Sequence, residues 1–142
     1  FLYDQLVILK TPNYFKNIEN SLDYVFIFIA SLFLVFGFPN IYTTFVSILV
    51  ILFTSLIKIL KPKNKGIFYI SYSLILFPFV LVNGVLTGSL IDKPIVWYNN
   101  SENLGVRFIT IPIEDFLYYF LMFEICYISY EHIKKTARMS NL

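Results

Sequence analysis

The sequence is short of the residues most chemistry uses. It holds one cysteine and one histidine in 142 residues. A lone Cys126 excludes a disulfide framework. Together with a lone His132 it also excludes a usual zinc site, which needs several nitrogen or sulfur ligands. No G-x-G-x-x-G follows a strand pattern and no P-loop is present, so nucleotide sites of those kinds are absent. No D-x-x-x-D or D-D-x-x-D cluster occurs, which argues against Mg²⁺-diphosphate chemistry. No cofactor and no metal are therefore expected. Charge is scarce as well, at 14% of residues. The net charge of +2 is too small to argue for nucleic acid. No signal peptide pattern opens the chain.

What remains is apolar. Hydrophobic residues make up 58% and the mean hydropathy is +0.72. A water-soluble domain of this size needs more polar surface. Aromatics reach 20%, with 16 Phe and 11 Tyr, which suggests a cavity or belt built of rings. Four apolar stretches, 21–38, 41–60, 66–90 and 108–130, each approach the ~20 residues that span a bilayer as a helix. They lack the period-two alternation of barrel strands. The expected fold is all-α, an integral membrane bundle of four transmembrane helices. Residues 1–20 form a lead-in, 21–131 the membrane domain and 132–142 a basic tail. Cys126 falls in the last apolar stretch and is read as a buried, inert thiol.

Orientation follows from lysine and arginine. One side of the bundle carries Lys10, Lys16, Lys58, Lys61, Lys63, Lys65, Lys134, Lys135 and Arg138. The other carries only Lys93 and Arg107. The chain is expected in the cell membrane, multi-pass, with both ends cytoplasmic.

Within "TIPIEDFLYYF", Glu114 and Asp115 stand in the fourth stretch. An acid near the centre of a spanning helix costs ~2.5–3.5 kcal/mol to insert, and such acids usually face a protein interior. Placed about two turns into a helix, two neighbouring carboxyls in low dielectric resist double ionisation, the profile of a proton donor. If the helix starts at Pro112 instead, they are first-turn carboxylates that complement the dipole. A buried ion pair is a further reading. Asn83 is expected at similar depth, either bonding a carboxyl or joining helices. Gly84 and Gly88 form a weak G-x-x-x-G. Pro78 is expected to kink the third helix and widen a cavity.

Trp97 and Tyr98 read as interfacial anchors. Arg107 either snorkels or offsets the acids, seven residues away on one helical face. Tyr118 and Tyr119 are packing rings that would lie beside the acids. Glu124 joins a polar core or bonds another helix. Asp23 reads as a first-turn carboxylate, and His132 as a tail residue.

"FPFVLVNGVLTG" followed by "PIVWYNNSENLGVRFITIPIEDFLYYFL" resembles the membrane-integral lycopene cyclase family, of the small two-domain or heterodimeric type. Its P-x-E-[ED] motif stands here as Pro112-Ile113-Glu114-Asp115. Its N-G-x-L-T and Y-N…G-x-R elements stand at Asn83 to Thr87 and Tyr98 to Arg107. The resemblance covers residues 66–131, half the chain. It implies carotenoid biosynthesis, an isomerase (intramolecular lyase) that closes the ψ-ends of lycopene into the β-rings of β-carotene. Glu114 and Asp115 would be catalytic, with Pro112, Asn83, Tyr118, Arg107, Trp97 and Tyr98 around the substrate. The partners it implies are lycopene or a related linear carotenoid, the lipid bilayer and a homologous domain or subunit. Such proteins pair two domains, and this chain holds one motif. Residues 1–10 look like the tail of a preceding helix, so a first domain is expected before it or as a separate polypeptide. Rival readings are a non-catalytic membrane subunit, a proton-coupled transporter and a prenyltransferase-like enzyme.

Overall fold

The structure is a computed structural model that describes residues 13–62 and 65–140, with side chains from residue 18 to residue 137. The expectation that residues 1–10 end a preceding helix lies outside the described residues. So do the side chains of Lys10, Lys16, Lys63 and Arg138.

Four helices follow one another: α1 (Asn13–Gly37), α2 (Ile41–Leu60), α3 (Lys65–Leu86) and α4 (Glu114–Ser140). Apolar runs make them, and glycine or proline stands at or within two residues of the ends of α1, α2 and α3. Three, α1 from Ile18, α2 and α3, are long and apolar enough to cross a membrane. Only 17%, 33% and 22% of their most apolar windows are buried. Most of that apolar surface faces outward, as it does in lipid and not in a soluble core. The fourth expected crossing does not meet the same measure, because Glu124, Glu131 and the basic end dilute α4.

α1 extends eight residues further towards the N-terminus than the expected start at residue 21. Asp23 is therefore ten residues inside a helix and not in its first turn. It is fully buried, paired with Lys65 Nζ at 2.5 Å and bonded by the Tyr69 hydroxyl at 2.5 Å. Lys65 also donates to Asn20. One lysine of the basic side is thus an internal partner that ties α1 to α3. A paired acid can be buried where a single one would be costly.

α2 presents Thr43, Val46, Ser47, Val50, Thr54 and Ile57 inward, at three- and four-residue spacing. α4 lies along this face. Thr43 bonds Glu114 and Thr54 bonds Glu124, so the register of the two helices is parallel. In lipid, helices gain little from burying apolar surface against each other. Packing and interhelical hydrogen bonds hold them instead, at roughly 0.6–2 kcal/mol per bond. Phe26 of α1 stacks on Phe120 of α4 at 3.6 Å between ring centroids, and Phe68 of α3 meets Phe120 edge-on. Cys126, expected to be buried, is exposed on the outer face of α4.

α3 stops at Leu86, four residues before the expected end at 90. The Gly88 N–H bonds Val85 C=O and the Ser89 N–H bonds Gly84 C=O, with Gly88 at φ +107°. This double bond around a left-handed glycine is a Schellman terminator. Gly88 therefore ends the helix, and does not form a helix-contact motif with Gly84. Pro78 lies inside α3 without ending it.

The largest departure precedes α4. Residues 108–113, expected as helix, form a small antiparallel hairpin of β1 (Arg107–Phe108) and β2 (Ile111–Pro112). Proline disfavours helix at the residue before it and has no N–H of its own. The helix can begin only beyond it, at Glu114. The hairpin turn is pinned to the end of α3. The Thr110 hydroxyl meets those of Thr87 at 2.7 Å and Ser89 at 2.8 Å.

Candidate functional site

Those two terminators, Gly88 and Pro112, set the position of the acids. They put the end of α3, the start of α4 and the start of α2 at one end of the bundle. Glu114 and Asp115 occupy the first turn of α4, not a position two turns in. Two parallel helices, α2 and α4, direct their N-termini towards this end, where the dipole favours negative charge.

The pair is buried, with Glu114 at 0% and Asp115 at 3% exposure. Glu114 Oε1 accepts from the Thr43 hydroxyl at 2.7 Å and from the Leu104 N–H at 2.6 Å. Its Oε2 is buried and has no hydrogen-bond partner among the described residues. Asp115 Oδ1 accepts from the Tyr42 hydroxyl at 2.7 Å. Its Oδ2 accepts from the Asn83 amide at 2.8 Å and the Tyr98 hydroxyl at 2.5 Å. Every one of these partners is uncharged. Among the described residues neither acid is in an ion pair.

The loop between α3 and β1 closes the site from outside the bundle. Glu102 caps the start of α2: its carboxylate accepts from the Ile41 N–H and its carbonyl from those of Tyr42 and Thr43. Asn40 donates to the Asn103 carbonyl at 2.7 Å. This brings Leu104 to Glu114 and Tyr98 to Asp115. Burial, and then the bond to Asp115, raise the Tyr98 phenol above its ordinary pKa. Tyr98 therefore stays protonated and donates.

The expected residues divide into two groups. Glu114, Asp115, Asn83 and Tyr98 meet in one place, Tyr98 as a hydrogen-bond donor. Pro112 is buried just before the acids and sets where the helix starts. Tyr118 is 45% exposed, its ring centroid 6.5 Å from that of Tyr42. Trp97 is 79% exposed, as an interfacial ring would be. Arg107 shares no helical face with them. It donates to the Thr110 carbonyl and the Asn100 side chain, both at 2.8 Å, and so braces the loop.

Sequence reasoning missed Tyr42, Thr43, Glu102 and Leu104. The signal available was "NIYTT", a polar cluster opening an otherwise apolar helix. Gly37 belongs with it, since a Cβ there would collide with the Thr43 side chain. Among the described residues no group of three or more His, Cys, Asp or Glu side chains is placed to hold a metal ion.

A family model described as lycopene cyclase matches residues 39–133, which takes in α2, α3, the loop and the site. No curated protein and no solved structure matches the chain.

Proposed function

The chain belongs to the lycopene cyclase family, and from that membership and the buried acid pair we propose that it catalyses cofactor-independent cyclisation of lycopene ψ-ends to β-rings. The observation that carries the reading is the Glu114–Asp115 pair, both buried at the start of α4 among uncharged donors. A cation bonded to either acid would neutralise it. Without one, the pair can hold and move a proton.

In this reading Glu114 donates a proton to C2 of the terminal C1=C2 bond. The C5=C6 electron pair closes on C1, leaving a cation at C5. Loss of the C6 proton to the neighbouring carboxyl, Asp115, forms the ring double bond. One proton enters and one leaves, so the reaction is an isomerisation without redox. C2 and C6 both adjoin C1, which suits two adjacent carboxyls. The rings of Tyr42, Tyr98 and Tyr118 cluster beside Asp115, and aromatic faces stabilise a nearby cation. General acid catalysis of this kind contributes about 10²–10⁴-fold.

A hydrocarbon substrate reaches the acids most readily from the bilayer. A groove of about 560 Å³ runs between α3 and the start of α4, lined by Leu76, Phe77, Val80, Phe108, Ile113 and Phe116. The hydroxyl of Ser73, also at its wall, bonds back to the Tyr69 carbonyl. The groove so offers an apolar chain no free side-chain hydroxyl. Ile113 and Phe116 flank the acids in sequence. The reading places the chain in the cell membrane with both ends cytoplasmic, working with a homologous domain or subunit.

Pigment chromatography from a lycopene-producing host tests the proposal, with the chain expressed alone and beside a second cyclase domain. β-Ring products are expected. Unchanged lycopene in both arms, with the protein inserted and accumulated, overturns it.

A further inference from the structure

We propose that Tyr42 is a positioning residue that fixes Asp115 as the proton-accepting carboxylate and so leaves Glu114 as the donor. The inference rests on the reading of the pair as proton donor and acceptor.

The argument is one of counting donors. An ionised carboxylate only accepts hydrogen bonds, through about four lone-pair positions, and an amide nitrogen only donates. Asn83 Nδ2 must therefore donate to Asp115 Oδ2. Tyr98 meets the same oxygen. Tyr42 alone meets Oδ1. Neither tyrosine hydroxyl has a second hydrogen-bond partner among the described residues. If either accepted a proton from Asp115, its own O–H would be left without an acceptor in a half-buried place. Three donors thus converge on Asp115 and leave neither of its oxygens without a donor.

Glu114 differs. Both its donors, Thr43 and the Leu104 N–H, reach Oε1. Oε2 is buried and free of donors among the described residues, so a proton meets no competitor there. The hydrogen bonds thus hold the two carboxyls unequally, with an oxygen open to a proton on Glu114 and none without a donor on Asp115. Tyr42 is decisive because Oδ1 has no other donor. Without it, Oδ1 has no donor, as Glu114 Oε2 has none. A charge-assisted hydrogen bond corresponds to about 10- to 100-fold in an equilibrium.

The test is infrared spectroscopy of the protein in lipid, following the C=O stretch of protonated carboxyls and its shift in D₂O. A Glu124→Gln background removes the other fully buried glutamate. One protonated-carboxyl band is expected. Glu114→Gln should abolish it and Asp115→Asn should leave it. Tyr42→Phe should add or shift intensity to a second band that Asp115→Asn removes. In turnover, Tyr42→Phe should lower kcat about 10- to 100-fold with KM little changed. Adding it to Asp115→Asn should cause no further loss. A band that survives Glu114→Gln but not Asp115→Asn overturns the proposal, as does a Tyr42→Phe loss additive with Asp115→Asn. Full cyclisation by Glu114→Gln would instead refute the functional reading, which the spectra do not test.

Discussion

The chain carries its own control for the role of Glu114. Glu124 is also 0% exposed, also on α4, and also held through Oε1 by an α2 threonine, Thr54 at 2.8 Å. Its Oε2, like that of Glu114, has no hydrogen-bond partner among the described residues. Replacing either by Gln keeps the side-chain volume and the oxygen that the threonine bonds. Each substitution places an amide NH₂ where a buried oxygen lacked a partner, a penalty of about 1–3 kcal/mol. The structural loss should therefore be similar in the two variants. The chemical loss should not. Glu114→Gln removes the proposed proton donor and should reduce cyclisation by about 10²–10⁴-fold. Glu124→Gln should leave product formation near the wild-type level once protein amounts are matched. Carotenoid chromatography reads the product, and thermal unfolding in detergent reads the stability. Equal loss of product in both variants at equal stability would refute the reasoning, because burial and not position would then explain the effect.

Three further outcomes follow from the packing. Lys65→Met strands the buried Asp23 and should destabilise the bundle by about 3–5 kcal/mol. The double variant with Asp23→Leu should recover most of that, as measured by thermal unfolding. Gly37→Ala drives a Cβ into Thr43 and should cost about 1–3 kcal/mol by overpacking. It should also lower cyclisation more than Lys65→Met does at matched stability, since Thr43 bonds Glu114. Val80→Trp fills the groove beside the acids and should raise the KM for lycopene without destabilising the fold. An unchanged KM would exclude that groove as the substrate route.

The legible part of the fold was what composition and period control. Long apolar runs made α1, α2 and α3 visible, and the acids were conspicuous because ionisable residues are rare among apolar neighbours. What hydropathy alone hid was local backbone chemistry, which only the alternative of a helix start at Pro112 anticipated. Residues 108–113 are apolar, and a hydropathy reading continues the helix through them. Pro112 forbids that, and a hairpin pinned by Thr87, Ser89 and Thr110 takes their place. The same error misplaced Arg107, whose supposed helical face does not exist. Pairings between distant segments were invisible for another reason. Nothing in "NIYTT" says that Tyr42 and Thr43 will meet residues over 70 positions later. Asp23 likewise was read from its neighbours in sequence, while its partner is Lys65.

The misplaced helix start changes the electrostatic argument for the site. Acids two turns inside a spanning helix would meet only side chains, because the backbone N–H groups there are already paired. At the first turn they stand where backbone donors are free and where the dipole favours negative charge. The Leu104 N–H on Glu114 comes from the loop that also caps α2 through Glu102. One segment thus finishes a helix and bonds an acid, while Tyr98 of the same loop covers Asp115. The loop is therefore part of the site, although it carries no acid itself. Carboxyls that must give and take a proton in a dry place need neutral donors and no fixed cation. The bundle supplies the donors at one end, from α2, α3 and the loop. It keeps its one described buried lysine on Asp23, at the start of α3, the end of that helix remote from Asn83 and the acids.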